Sequence, residues 1–194
     1  MQISLENLLE RSNRLAWKAE NEITNLDESL LQKNKNGKGW NTLEVIDHLN
    51  AVYQHYLPKL EKAINQAPNN SSVNQSEKHS LSFFGKMMIN SMTPTSSRKR
   101  KFKMNTFGDF HPGNSLEGNS TISEYLNLKE TFNQLLKESR NHYFGKQKVN
   151  SAIGPIMKFY VVECFAFLIA HEERHFLQIE EIINSQQESS SVNT

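Results

Sequence analysis

Residues 40–60, WNTLEVIDHLNAVYQHYLPKL, decide the fold of this chain. Asn41 can cap the free amides of a helix, and Glu44 stands three residues later, where a capping box places it. Apolar side chains then recur every three or four residues, the spacing of one buried helix face: Ile46, Leu49, Tyr53, Tyr56 and Leu60. The stretch therefore predicts a long amphipathic helix with a single buried seam.

Three further segments have the same helical period. The first runs from about Leu5 to Leu31, and the third begins at a capping box of Thr121 and Glu124 and stops at Gly145. The last begins at Pro155, because proline is favoured at a first helical position. No segment shows the alternation of a strand. We therefore predict an all-α protein, a four-helix bundle.

The connections between the helices are unequal. Residues 65–78 are almost wholly polar and predict a flexible loop. A short helix before Thr93-Pro94 and a long loop from Thr95 to Asn119 come between the second and third helices. Residues 1–184 are predicted to form one domain, and residues 185–194, SQQESSSVNT, a disordered tail.

Composition narrows the classes of partner. The 194 residues have a net charge of +1 and a mean hydropathy of −0.64, so neither nucleic acid nor a membrane is an expected partner. A single cysteine allows no internal disulfide, which favours the cytoplasm. The basic run Arg98 to Lys103 more often means a solvated loop than a nucleic-acid site, and its role stays open.

The segment His171-Glu-Glu-Arg-His175 is the sharpest chemical feature of the chain. A spacing of four turns the two imidazoles through only about 40°, so both can reach one metal ion. The alternative is a pair of buried histidines satisfied by neighbouring polar groups. The zinc-protease motif H-E-x-x-H also matches, but the downstream ligands of such proteases are missing. Glu172-x-x-His175 resembles a di-iron half-site without its second copy.

His48 is the best upstream candidate for a third ligand, because it lies on a strong amphipathic helix with Val45 and Val52 one turn away on either side. His55 falls about 10.5 Å further along that helix, too far for the same ion. Cys164 lies equally far from His171, and we interpret it as a core residue.

The segments 40–49 and 171–179 resemble the second- and fourth-helix signatures of the DinB-like (DinB/YfiT-like) superfamily of four-helix-bundle metalloenzymes. The resemblance implies that His48, His171 and His175 bind one divalent metal ion, with Zn, Ni or Fe suited to three imidazoles. It also implies a homodimer. Glu172 adjoins two of these ligands, so we expect it to orient an imidazole or act as a base, although a solvated surface carboxylate is the alternative.

Characterised members of that superfamily include bacillithiol transferases and mycothiol-dependent maleylpyruvate isomerase. The resemblance therefore implies a thiol-dependent S-transferase, with a low-molecular-weight thiol as co-substrate and a small molecule as substrate. Two alternatives remain at this point. One is a metal-dependent hydrolase on the same site, and the other is a non-catalytic, stress-related bundle that binds a metal or ligand.

Overall fold

The computed structural model describes residues 2–69, 78–95, 108–142, 144, 147–152, 154 and 157–191. Within these residues the α-helices are α1 (Leu5–Lys18), α2 (Glu28–Leu31), α3 (Thr42–Asn65), α4 (Phe83–Met92), α5 (Gly118–Glu138) and α6 (Val161–Ser191). The strands are β1 (Gln2–Ile3), β2 (His79–Ser80), β3 (Lys148–Asn150) and β4 (Lys158–Tyr160).

Four long helices form the bundle. Helix α5 packs against α1 and α3, and α6 packs against the same two helices from the other side. Their apolar faces make one core that includes Leu8 of α1, Leu49 of α3, Phe132 of α5 and Phe165 of α6, each 1% exposed or less. The predicted all-α four-helix bundle is therefore confirmed, as is the short extra helix, α4, between the second and third long helices.

The predicted first helix is wrong in its extent. Helix α1 ends at Lys18 and continues only as a π-helical turn, Ala19–Ile23, in which the Thr24 amide donates to the Ala19 carbonyl at 3.2 Å. The chain then turns, and the separate short helix α2 buries Leu31. A π-turn changes the helical register, so the apolar stripe does not continue as one straight helix.

Two short strand pairs, which no alternation in the sequence signals, accompany the helices within the described ranges. β1 pairs antiparallel with β2, and β3 pairs antiparallel with β4. The β3–β4 pair uses the backbone of residues 158–160, so the last helix begins at Val161 and not at Pro155, which is outside the described residues. The Glu163 carboxylate marks this start, because it accepts from the Tyr160 amide at 3.1 Å.

Helix α5 begins one turn before its predicted capping box. Its first residue is Gly118, and the Glu124 carboxylate accepts from the Gln54 amide group of α3 at 2.6 Å instead of capping a helix. The helix ends at Glu138, and Gly145, its predicted end, is outside the described residues. So are residues 70–77 and 96–107, which hold about half of each of the two predicted loops and the whole basic run.

Helix α6 includes residues 185–191 of the segment that the sequence predicts as a disordered tail. Gln186 explains the difference, because its buried side chain donates to the carbonyls of Lys33, at 2.8 Å, and Leu30, at 3.3 Å. These bonds attach the last part of α6 to α2 and to the segment just after it. That residues 1–184 form one domain stays a prediction.

Helix α4 is attached to the start of α6 through Glu163. This buried carboxylate, 2% exposed, accepts from the amide of Ser82, the residue before α4, at 2.5 Å. Gly85 lies against it, and a Cβ at that position would have both carboxylate oxygens 2.6 Å away. Only a glycine therefore lets α4 approach α6 this closely.

None of the helices in the described part of the chain is both long and apolar enough to cross a membrane. The cytoplasmic location stays a prediction.

Candidate metal centre

Helix α3 presents His48 to the interior of the bundle. The predicted capping box is confirmed: Glu44 N donates to the Asn41 side chain at 2.9 Å, and Asn41 N donates to Glu44 at 2.7 Å. With its first turn fixed in this way, the helix turns the apolar seam and His48 inward, and His48 is only 4% exposed.

The structure brings together the three histidines that the sequence singles out. The Nε2 atom of His171 lies 3.3 Å from Nε2 of His48 and 3.2 Å from Nε2 of His175. His171 is 8% exposed, and His175 is partly exposed. The three side chains form a group able to hold one metal ion, with a ligand atom from each within 4.8 Å of the others.

The outer ring nitrogens determine which atom of each imidazole is free. His48 Nδ1 lies 2.7 Å from the Phe110 carbonyl, which can only accept, so Nδ1 carries the proton and Nε2 a lone pair. His175 Nδ1 lies 3.2 Å from the Gln178 side-chain oxygen and is assigned in the same way. The buried Nδ1 of His171 has no partner among the described residues.

The environment favours neutral imidazoles. Burial lowers the pKa of His48, and it lowers the pKa values of His171 and His175 well below the usual value for histidine. For His171 and His175, the neighbouring histidines and Arg174 add to the lowering. Neutral imidazoles are the form that binds metal, so few protons compete for these nitrogens near neutral pH.

Aromatic rings enclose the three histidines. Trp40 stacks on His175 with ring centroids 6.4 Å apart and lies 5.1 Å from the His48 ring. Phe167 stacks on His171 at 6.0 Å. His111, which is exposed, meets the outer side of Trp40 edge-on at 6.3 Å. These rings limit contact between water and the imidazoles, and His175 keeps the largest exposed fraction of the three.

Residues 9–179 match the family model of the DinB superfamily. This match covers most of the chain and includes both histidine segments. The chain belongs to the DinB superfamily. No curated protein matches the chain. No solved structure matches it.

In this DinB-superfamily protein, the two carboxylates that lie near His48 in the sequence, Glu44 and Asp47, have contacts other than the imidazoles. Glu44 belongs to the capping box of α3. The Asp47 carboxylate accepts from the Gly113 amide at 2.9 Å, which attaches the segment after Phe110 to α3. The outer partner of His48 is therefore a backbone carbonyl, and Asp47 helps to hold the segment that supplies it.

Glu172 lies in the core and not on the surface, so the alternative of a solvated carboxylate is wrong. Its side chain accepts from Lys129 Nζ at 2.5 Å, from the Tyr53 hydroxyl at 2.7 Å and from the Tyr125 hydroxyl. We call these four residues the Glu172 cluster, and each is 2% exposed or less. A role for Glu172 in orienting an imidazole or as a base stays a prediction.

Sequence reasoning missed the other members of the Glu172 cluster. Lys129 had a detectable signal, because it falls four residues after Tyr125 and three before Phe132 on the predicted apolar seam of α5. A lysine on such a seam needs a buried anion. Burial lowers the Lys129 pKa, an effect that Glu172 opposes, and burial beside Glu172 raises the pKa values of Tyr53 and Tyr125.

The remaining candidates lie away from the three histidines. The His55 ring packs edge-on against Phe110 at 5.3 Å and accepts from Lys59 at 2.5 Å. Cys164 is fully buried, and burial raises its pKa well above the usual value. Both agree with the interpretation of these residues as non-ligands.

Proposed function

We propose that the chain is a divalent-metal-dependent enzyme in which His48, His171 and His175 bind the ion, and that it transfers a low-molecular-weight thiol to a small electrophilic substrate. The observation that carries this proposal is the convergence of three Nε2 atoms, 3.2 and 3.3 Å apart, inside the bundle. Three imidazoles leave coordination positions for a substrate, as in catalytic metal sites. Zn, Ni and Fe suit this ligand set.

The donor set fits a divalent cation. His48 and His175 direct unprotonated nitrogens at the same point, where a bound cation would accept both lone pairs. The Phe110 carbonyl holds His48 in the tautomer and ring orientation that a ligand needs, as outer partners of metal-binding histidines commonly do.

A bound divalent ion supplies Lewis acidity, which lowers the pKa of a thiol or water that it binds. The chain's own residues exclude water around the histidines with Trp40 and Phe167. The sulfur of the co-substrate attacks the electrophilic carbon. An S–C bond forms, the leaving group departs with its electron pair, and the thiol proton passes to solvent.

One observation favours thiol transfer over hydrolysis, and a second supports a co-substrate as the source of the attacking sulfur. Both oxygens of Glu172, the predicted base, already accept hydrogen bonds in the core, so this carboxylate is poorly placed to take a proton from water. Cys164 is fully buried with a raised pKa and offers no nucleophile. An attacking sulfur from a co-substrate requires neither residue.

The test uses tag-free protein loaded with Zn²⁺, Ni²⁺ or Fe²⁺, and measures conjugation of a low-molecular-weight thiol to 1-chloro-2,4-dinitrobenzene. We expect His171→Ala to abolish metal binding and turnover. His79→Ala, a histidine of β2 outside the metal group, is the matched control and retains both. Turnover that survives His171→Ala contradicts the proposal.

The same preparation separates the alternatives. Ester or amide hydrolysis without added thiol favours a hydrolase. If the protein is purified without metal and its melting temperature does not change when Zn²⁺, Ni²⁺ or Fe²⁺ is added, the result favours a non-catalytic bundle. A metal site in the folded protein stabilises it by about 2.7 kcal/mol when the free metal concentration is 100 times the Kd of the site.

We also propose that the protein is a homodimer, as family resemblance implies. Light scattering on tag-free protein tests this, because a monomer has a mass of 22.4 kDa. A mass of that size across the micromolar range contradicts the dimer.

A further inference from the structure

The segment His171–His175 of α6 contacts all three other helices of the bundle. His171 meets His48 of α3, while the next residue, Glu172, reaches Tyr53 of α3 together with α5. Glu173 then binds Arg11 of α1 through two hydrogen bonds of 2.9 and 2.7 Å. Successive helical residues point about 100° apart, so each contact restrains the rotation of α6 from a different direction.

The Glu172 cluster is the buried part of this restraint. One carboxylate oxygen accepts from Tyr53 and Lys129, and the other accepts from Tyr125. Lys129 also donates to the Tyr53 hydroxyl at 3.3 Å. Hydrogen bonds to charged groups are strong and directional, and a buried ionised group left unpaired is costly. Rotation of α6 about its axis would break these bonds.

A small rotation would be enough to disturb the histidines. A helix with its side chains has a radius of about 5–6 Å, so a turn of about 10° moves a side-chain tip by about 1 Å. Metal–ligand distances tolerate only about 0.2 Å. The rotation angle of α6 about its own axis must therefore be fixed more tightly than apolar packing alone requires.

We propose that the Glu172 cluster positions the metal ligands: Glu172, held by Lys129, Tyr53 and Tyr125, sets the rotation of α6 at which His171 and His175 face His48. This inference rests on the proposed function, because it concerns the same metal site. Glu172 is thus a positioning residue that acts through the backbone of α6, without contact to substrate.

The experiment compares Glu172→Gln with Ile64→Ala. The side-chain amide that replaces the carboxylate carries no charge, so Lys129 stays buried without an anion, and Tyr125 must accept from the amide instead of donating to a carboxylate. The contact that restrains α6 is thereby weakened. Ile64 is a buried core residue about 24 Å along α3 from His48, so its truncation lowers stability without touching the cluster. Co²⁺ affinity and the Co²⁺ visible spectrum are measured in both variants, with melting temperatures recorded in the metal-free state.

We expect Glu172→Gln to weaken Co²⁺ binding about tenfold, the lower end of the effect of losing a group that orients metal ligands, and to change the visible spectrum. Ile64→Ala should leave the Co²⁺ affinity within about twofold of that of the unsubstituted protein and should leave the visible spectrum unchanged, because Ile64 lies far from the histidines. Unchanged Co²⁺ binding by Glu172→Gln overturns the proposal. Equal weakening by Ile64→Ala also overturns it, since lost stability alone would then explain the effect.

Two further measurements keep the inference testable. If Glu172→Gln does not fold, Tyr125→Phe removes one donor from the carboxylate and should weaken Co²⁺ binding about threefold, whereas unchanged binding overturns the proposal. If the unchanged protein binds no Co²⁺, the proposed function fails. The imidazole nitrogen resonances of metal-free protein then decide the positioning role: Glu172→Gln or Tyr125→Phe should shift those of His171 and His175, and unshifted signals reject it.

Discussion

Replacing Lys129 with methionine tests how the core holds its buried charge. Methionine nearly matches lysine in length and adds no polar atom, so the substitution removes the ammonium group with little change in shape. Lys129 is 1% exposed and Glu172 is 0% exposed, with 2.5 Å between Nζ and Oε2. The variant therefore leaves a carboxylate in the core with only the Tyr53 and Tyr125 hydroxyls as partners.

The expected loss follows from this burial. Breaking a buried ion pair from one side costs about 3–5 kcal/mol. Because the Tyr53 and Tyr125 hydroxyls still donate to Glu172, we expect a loss at the lower end of this range, about 3 kcal/mol. That is a large part of the roughly 5–15 kcal/mol by which a typical protein is stable. For a chain of this size the melting temperature should fall by about 6–12 °C.

Urea unfolding of metal-free protein, followed by circular dichroism, measures the loss. Arg14→Met is the matched control, because it breaks a cation–carboxylate pair with Glu10, also at 2.5 Å, whose side chains are 60% and 65% exposed. That exposed pair should cost less than about 1 kcal/mol. The double variant Lys129→Met/Glu172→Gln removes both buried charges and should recover most of the stability. Equal losses from Lys129→Met and Arg14→Met would refute the reasoning.

Two further predictions concern buried groups. Cys164 should resist an aromatic disulfide reagent in the native protein and react only in urea, because it is fully buried and burial raises its pKa; rapid labelling without denaturant would contradict this. Gly85→Ala should destabilise the fold by about 1–3 kcal/mol, since the new methyl group meets the held Glu163 carboxylate. Gly108→Ala places its methyl group at an exposed position with no atom within 4 Å and should cost less than about 0.5 kcal/mol in the same unfolding assay.

The bundle and its three histidines could be predicted because their signals are local and periodic. The seam of α3 repeats every three or four residues, and its cap can be identified from Asn41 and Glu44 alone. The spacing of His171 and His175 places both rings on one side of a helix whatever surrounds it. Such features depend on a few neighbouring residues and on helical geometry.

The parts that could not be predicted depend on contacts between distant residues. The fixed end of α6 rests on Gln186 reaching the carbonyls of Leu30 and Lys33. The burial of Glu172 rests on Lys129, 43 positions earlier in the chain. From the sequence alone, Gln186 and Glu172 are both expected to be exposed to solvent, because polar and charged residues usually are. Only the fold brings together the partners that make their burial favourable.

The indole ring of Trp40 gives the protein an internal optical reporter. It lies 5.1 Å from the His48 ring and 6.4 Å from the His175 ring. The other tryptophan of the chain, Trp17, is 58% exposed on α1, so its emission should lie at longer wavelength. An imidazolium ring or a transition-metal ion this close quenches indole fluorescence. The blue side of the emission spectrum should therefore follow the state of the histidines in unlabelled protein, while the red side provides an internal reference.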